Sequence, residues 1–205
     1  MDTATIAIIS SYLMGSFPTA YIMGRLRKGI DIREVGSRNM GAANVIYQVG
    51  LAEGLLVLVI DVGKGAAAIL LARWLEVPLA IQLLAGAAAV VGHAFPVFLK
   101  FRGGKGGAAC VGALAVLMPQ GIPIFLGIFT IVLLISRYPT FSFSVSLLSV
   151  PFFAWLIYHS AALVVFTVIM ELILGIRYIP RMREMYAAAG GWRRVILRRS
   201  FKERL

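Results

Sequence analysis

The sequence predicts an all-α integral membrane protein with about seven transmembrane helices. Three observations support this prediction: the apolar content, the apolar runs of helix length and the placement of positive charge. Of the 205 residues, 60% are hydrophobic and 14% are charged. A soluble domain of this length cannot bury so much apolar surface, so a bilayer is the expected solvent. The only cysteine, Cys110, excludes an intrachain disulfide and lies in an apolar stretch, where a packing role is expected.

Seven apolar runs provide the candidate spans. The first run lacks the positive region of a signal peptide, so we take it as a retained span. The first three runs and the last are long enough for the bilayer core, which requires about 20 residues. A break at Met118-Pro119-Gln120-Gly121-Ile122-Pro123 divides a longer run into two short helices or kinks a single one. The runs lie at roughly 3–24, 51–73, 79–99, 107–118, 119–136, 143–158 and 160–178.

The positive charge indicates how these spans are oriented. With seven spans and the N-terminus outside, 18 of the 20 Lys and Arg residues fall on the cytoplasmic side, as the positive-inside rule requires. Six spans would place the basic tail and the basic first loop on opposite faces. We therefore predict a cytoplasmic C-terminus, a single polytopic domain over residues 1–180 and a basic tail over 181–205. The net charge of +11 favours contact with membrane lipids and phosphate ligands, and nucleic acid is not an expected partner.

The first cytoplasmic gap carries a Gly-, Ser- and Asn-rich stretch, DIREVGSRNMGAANV, over residues 31–45. Glycines allow sharp turns and close approach of the backbone to a ligand. A helix that starts near Val45 would direct backbone amides towards an anion. A solvated loop of turn-forming residues would have the same composition, so both interpretations stay open. The residues of interest are Gly36, Ser37, Arg38, Asn39, Gly41 and Asn44.

A second glycine-rich stretch, GHAFPVFLKFRGGKGG over residues 92–107, separates two apolar runs. Its spacing is not that of a nucleotide-binding P-loop, because Leu99 stands where that motif needs glycine and Gly106 where it needs Ser or Thr. A glycine-rich turn with a lysine before a helix can still hold a phosphate, through backbone amides and one positive charge. His93, at the end of the preceding span, is either a packed hydrogen-bonding residue or a catalytic one.

Three ionisable residues interrupt the predicted spans. Asp61 and Lys64 are three residues apart on one helical face, so we expect them to pair, either within a site or as a structural pair. Glu171 has no local partner and is expected to face the helix bundle. After the fifth span, Arg137 is placed to clamp a phosphate or to anchor the chain at the interface beside Tyr138.

Together these stretches resemble the bacterial family of acyl-phosphate-dependent glycerol-3-phosphate acyltransferases over roughly residues 12–145. The matching text is GSFPTAYIMGRL (15–26), DIREVGSRNMGAAN (31–44), DVGKG (61–65), GHAFPVFLKFRGGKG (92–106) and RYPTFS (137–142). The resemblance implies an enzyme of the bacterial inner membrane, with its active site on the cytoplasmic side and with no cofactor or metal. Such an enzyme transfers a fatty acyl group from acyl phosphate to the 1-hydroxyl of glycerol 3-phosphate. The products are lysophosphatidic acid and phosphate, in phospholipid biosynthesis.

The resemblance also implies roles for individual residues. Ser37, His93 and Lys105 are the expected catalytic residues. A protein nucleophile is not required, because acyl phosphate is already activated and the site can act by positioning and charge neutralisation. The expected substrate-binding residues are Gly36, Arg38, Asn39, Gly41, Asn44, Gly103, Gly104, Gly106 and Arg137.

Several positions depart from the family pattern. Arg38 replaces the second glycine of GSGN, Ala43 replaces Thr, and Tyr47 replaces Arg. The family's C-terminal Arg-His-x-x-Asn segment is not recognisable. One alternative is therefore a non-catalytic paralogue, or one of altered specificity, that binds lipid phosphates. A small transporter is a second alternative, although the polar residues cluster at one membrane face rather than at the midplane.

Overall fold

The computed structural model describes residues 2–197, which form eleven α-helices and no β-strand. The chain divides into two compact units, Met1–Leu117 and Met118–Leu205. The helices of the first unit are α1 Thr3–Ser16, α2 Thr19–Lys28, α3 Ala42–Gln48, α4 Leu51–Trp74, α5 Leu79–Ala94 and α6 Gly107–Leu117. Those of the second unit are α7 Gly121–Ser136, α8 Pro139–Leu148, α9 Val150–Leu156, α10 Ala161–Ala189 and α11 Trp192–Ile196. The predicted all-α fold is confirmed.

Five helical segments are long and apolar enough to cross a membrane. They are Thr3–Lys28, Leu51–Trp74, Leu79–Leu99, Pro139–Leu156 and Ala161–Ala189. Each of the seven predicted runs is helical, but α6 has 11 residues and α7 has 16, which is short for a bilayer core of about 30 Å. The turn at Pro119-Gln120 separates these two helices, so the long run is two helices rather than one kinked helix. The seven-span count stays a prediction.

The first unit is built on close contacts between helix backbones. Gly65 of α4 lies against the carbonyl of Ala109 in α6, and a Cβ at this glycine would overlap that carbonyl. Gly112 of α6 meets the carbonyl of Val62 in the same way. Small residues at such contacts let membrane helices approach without any contribution from the hydrophobic effect, which is weak between helices in lipid. This packing holds α6 against α4, and the second glycine-rich loop ends at the start of α6.

The first apolar segment breaks where α1 gives way to α2. Pro18 has no backbone N–H, so a regular helix cannot run through this position. The backbone amide of Phe17 instead donates to the carbonyl of Met14 at 3.2 Å and ends α1. At the far end, Gly29 closes α2 in the left-handed conformation with φ 68°. The loop that follows, residues 30–41, carries the first glycine-rich stretch.

The second unit has a hydroxyl-rich turn and a long final helix. Ser136 and Ser142 are buried, with their hydroxyl oxygens 3.2 Å apart across the turn between α7 and α8. The long helix α10 contains Pro180 and continues past residue 181, where the basic tail is predicted to begin. Trp192 of α11 packs against Tyr186, with ring centroids 4.7 Å apart. The last eight residues of the predicted tail lie outside the described range.

Candidate functional site

Asn44 organises the first glycine-rich loop. Its side chain is buried at the start of α3, and its Oδ1 accepts a hydrogen bond from the backbone amide of Ser37 at 3.1 Å. The two N–H groups of its Nδ2 are shared among three carbonyls of the loop, those of Ile32 at 2.9 Å, Val35 at 3.1 Å and Asn39 at 3.1 Å. One side chain therefore holds both halves of the loop, and the sequence did not reveal this role.

Two residues of this loop adopt the left-handed conformation, Gly36 with φ 59° and Arg38 with φ 55°. A Cβ at Gly36 would overlap the side chains of Asn44 and Gln48, so glycine is required here by space as well as by conformation. Arg38 adopts this conformation although it has a Cβ, so its backbone is strained, and the residue is exposed. The residue that departs from the family pattern therefore stands on the outer face of a loop whose inner face is packed.

The second glycine-rich loop folds back onto the end of α5. Lys100 and Phe101 both have positive φ, 52° and 60°, and the Phe101 amide donates to the carbonyl of Pro96 at 3.0 Å. This reversal returns the chain to His93, whose carbonyl accepts a hydrogen bond from the Gly104 amide at 3.1 Å. A Cβ at Gly103 would overlap the carbonyls of His93 and Ala94, so only glycine fits at this return.

Gly104 is the point where the two loops and α5 meet. A Cβ at this position would overlap Nε2 of His93 and crowd the carbonyl of Met40, which belongs to the first loop. His93 and Met40 are both buried here. The structure thus brings together three regions that are distant in sequence, namely the loop around residues 36–44, the end of α5 and the glycines at 103–106. We call this contact the loop junction.

Polar contacts beside the loop junction tie the loops together. Arg33 donates from Nη2 to Asp31 at 2.7 Å and from Nη1 to the Leu99 carbonyl at 3.4 Å. Arg102 of the second loop pairs with Glu34 of the first at 3.0 Å, on the exposed surface. The hydrogen bonds from Arg33 lower the pKa of the Asp31 carboxyl to about 2. The same contact raises the pKa of Arg33, so this pair stays ionised at neutral pH.

Lys105 and Gly106 lie at the start of α6. Gly106 has φ 92°, and its carbonyl accepts from the Cys110 amide at 2.9 Å, which begins the 11-residue helix. Lys105 is half-buried directly before it. Backbone amides at a helix N-terminus carry partial positive charge, and a neighbouring lysine adds a full one. This arrangement is suited to an anionic group, whereas no group of three His, Cys, Asp or Glu residues within 2–197 is placed to hold a metal ion.

A buried ion pair lies beneath the loop junction. Lys64 Nζ is 2.9 Å from Oδ1 of Asp61, which confirms the pairing predicted from their spacing on α4. Lys64 also donates to the Phe17 carbonyl at 3.2 Å, at the break between α1 and α2. The same Oδ1 of Asp61 lies 3.8 Å from Nδ1 of His93. This last proximity could not be predicted from the sequence, because the two residues lie on different helices.

Arg137 and Glu171 belong to the second unit. Arg137 ends α7 in the left-handed conformation, with φ 55°, and its amide donates to the Leu133 carbonyl at 2.8 Å. Glu171 of α10 has a buried Oε1 with no hydrogen-bond partner among the residues that the structure describes. The role of Arg137 as a phosphate clamp stays a prediction.

The fold and the loop junction define a multi-pass helical membrane protein whose buried histidine lies between two glycine-rich loops. A family model described as glycerol-3-phosphate acyltransferase matches residues 5–188. Glycerol-3-phosphate acyltransferase 2 of Dehalococcoides mccartyi is 50% identical over 202 residues, which cover 98% of this chain and 96% of that protein. The chain belongs to the glycerol-3-phosphate acyltransferase family, and the resemblance noted in its sequence is confirmed.

Two solved structures share the fold. Both are crystal structures of PlsY (YgiH), an integral membrane glycerol 3-phosphate acyltransferase. The glycerol 3-phosphate form matches with a TM-score of 0.84 at 27% identity, and the lysophosphatidic acid form matches with a TM-score of 0.80 at 26% identity. In both cases the match covers 90% of this chain and 92% of the other. The prediction of a multi-pass membrane acyltransferase is confirmed.

Proposed function

We propose that this chain transfers a fatty acyl group from acyl phosphate to the 1-hydroxyl of glycerol 3-phosphate. The hydroxyl oxygen attacks the acyl carbonyl carbon, the bond from that carbon to the phosphate oxygen breaks, and inorganic phosphate leaves. The hydroxyl proton passes to a phosphate oxygen, so no protein nucleophile is acylated. The structural relative has been solved in a glycerol 3-phosphate form and in a lysophosphatidic acid form. These two forms support glycerol 3-phosphate as the acceptor and lysophosphatidic acid as the product.

The observation that carries the proposal is the loop junction. Two phosphate-bearing substrates require two anion-binding segments close to one reacting centre. Gly104 brings the second loop against His93 of α5 and against Met40 of the first loop. Lys105 follows it, directly before α6. In this scheme Lys105 neutralises phosphate charge as the leaving group departs, and His93 hydrogen-bonds beside the reacting carbonyl.

The remaining predicted residues take supporting roles in the proposal. Ser37 hydrogen-bonds a substrate from the first loop, with Arg38 supplying a charge on its exposed side. Asn44 acts by positioning Ser37, because its amide is committed to the loop. Arg137 clamps a substrate phosphate. Other backbone contributions come from Gly36, Asn39, Gly41, Gly103 and Gly106.

We also propose a topology for this reaction. The chain crosses the bacterial inner membrane seven times, with the N-terminus outside, the active site on the cytoplasmic side and the basic tail of residues 181–205 following the membrane domain. The positive-inside distribution of charge supports this arrangement. Thr3→Cys should react with an impermeant maleimide in intact cells, and Arg193→Cys should react only after permeabilisation. Cys110 is buried and gives a low background. The opposite labelling pattern would refute the orientation.

A reconstituted assay tests the reaction itself. Purified protein in lipid is supplied with acyl phosphate and glycerol 3-phosphate, and both lysophosphatidic acid and phosphate are measured. Equal release of the two products is expected, and Lys105→Gln should lower kcat while leaving the protein folded. Phosphate release without acylated product would indicate hydrolysis. Saturable binding of lipid phosphate without turnover would favour a non-catalytic paralogue, and glycerol 3-phosphate uptake into proteoliposomes without acyl transfer would favour a transporter.

A further inference from the structure

We propose that Asp61 is a positioning residue, which together with Lys64 holds the His93 imidazole in place at the loop junction. The inference rests on the proposed acyl transfer, because the consequence of positioning is read in that reaction. It assigns a function to the buried ion pair of α4. From the sequence alone, this pair could be either a structural pair or part of a site.

The geometry places one carboxylate oxygen between two basic groups. Oδ1 of Asp61 is 2.9 Å from Lys64 Nζ and 3.8 Å from His93 Nδ1. The three residues are only 1%, 7% and 3% exposed, respectively. The 3.8 Å separation is longer than a hydrogen bond, but a charge at this distance in a buried, low-dielectric region still orients a polar ring strongly. Catalytic hydrogen bonds also commonly shorten when substrate is bound.

The opposite edge of the imidazole faces the loops. Nε2 of His93 lies against the backbone of Gly104, beside the Met40 carbonyl. The ring is therefore enclosed between the ion pair at Nδ1 and the loop junction at Nε2. Rotation of the ring about its Cβ–Cγ bond would exchange these two edges. The Asp61 carboxylate favours the orientation in which a nitrogen faces it, and this leaves Nε2 at the loops.

Stability alone gives no sufficient reason for this ion pair. Removing two charges from water costs several kcal/mol per ion, and apolar replacement of a buried pair is often neutral or stabilising. Lys64 has one structural role, since it satisfies the Phe17 carbonyl at the α1–α2 break. A lysine that does this within a membrane segment needs a counter-charge, and Asp61 supplies it. The carboxylate is thus shared between a helix break and a catalytic imidazole.

A double-mutant cycle tests the inference. Asp61→Asn with Lys64→Met removes both charges with little change of shape and leaves no unpaired charge, so we expect it to fold. We expect kcat to fall by up to about 100-fold, with KM for glycerol 3-phosphate little changed, because misplacement of a catalytic group by about 1 Å has effects of that size. The same pair of substitutions is then made in a His93→Gln background. Because Asp61 acts through His93, the two substitutions should cause little further loss of kcat in this background.

Four outcomes would overturn the inference. A folded Asp61→Asn/Lys64→Met variant with the parent kcat would show that the pair is only structural. Equal losses with and without His93 would show that the pair acts independently of the imidazole. A parent protein that makes no lysophosphatidic acid would refute the proposed function itself, and the inference with it. If the double variant does not fold, Asp61→Glu keeps the charge pair but moves the carboxylate by one methylene. An unchanged kcat in this variant would also refute positioning.

Discussion

The substitution Gly104→Ala tests the loop junction with a single methyl group. Its Cβ would overlap Nε2 of His93 and crowd the Met40 carbonyl, whereas ordinary contacts begin at 3.4 Å. The ring or the loop must therefore move by about 1 Å. Displacement of that size at a reacting centre can cost about 100-fold in rate, while overpacking costs about 1–3 kcal/mol of stability. We expect a folded protein whose kcat/KM for acyl transfer is lower by roughly two orders of magnitude.

The assay is lysophosphatidic acid formation by purified protein, with thermal unfolding in detergent measured in parallel. Gly63→Ala is the matched control, because this glycine lies on the exposed side of α4 with nothing within 4 Å of an added Cβ. It should keep the parent activity and melting temperature. If Gly104→Ala were as active as the parent, the close contact among the second loop, His93 and Met40 would not define the site, and the reasoning would be wrong.

Other contacts in the first unit give further expected outcomes. Asn44→Asp removes the two N–H donors that three loop carbonyls share and should lower the free energy of unfolding by about 2–3 kcal/mol, measured by thermal unfolding. Because Asp31 has a folded pKa of about 2, below its unfolded value, its ion pair with Arg33 stabilises by about 2 kcal/mol above pH 4. This contribution is lost as the pH falls through 2, so the stability difference between the parent and Asp31→Asn should vanish below that pH. Gly65→Val should prevent close packing of α4 and α6 and yield aggregated protein, and Gly63→Val should not.

The sequence predicted the fold class because its signals are averages over many residues. Apolar runs and the placement of Lys and Arg are little affected by local irregularity, and each predicted run is helical, the first and the sixth as two helices each. Helix ends were less predictable, since the last run was predicted to end near residue 178 and α10 continues to Ala189. A helix end depends on local turn geometry and on packing partners, and neither can be read from hydropathy.

The candidate site was predictable in its parts but not in its assembly. Glycine-rich text identified both loops, and helical spacing identified the pairing of Asp61 with Lys64. Nothing in the sequence placed His93 beside Asp61, because they are separated by a helix end and a turn. The organising role of Asn44 could not be predicted either. The sequence does not distinguish an asparagine that binds a ligand from one that hydrogen-bonds its own loop.

The loop junction is made largely by main-chain atoms, and this affects how the protein can change. The Gly104 amide, the His93 carbonyl and the Met40 carbonyl are present whatever side chains the neighbouring positions carry. Arg38, by contrast, is exposed on the loop surface. Most of the contacts that hold the two loops together therefore do not depend on the identity of the side chains exposed on their surface.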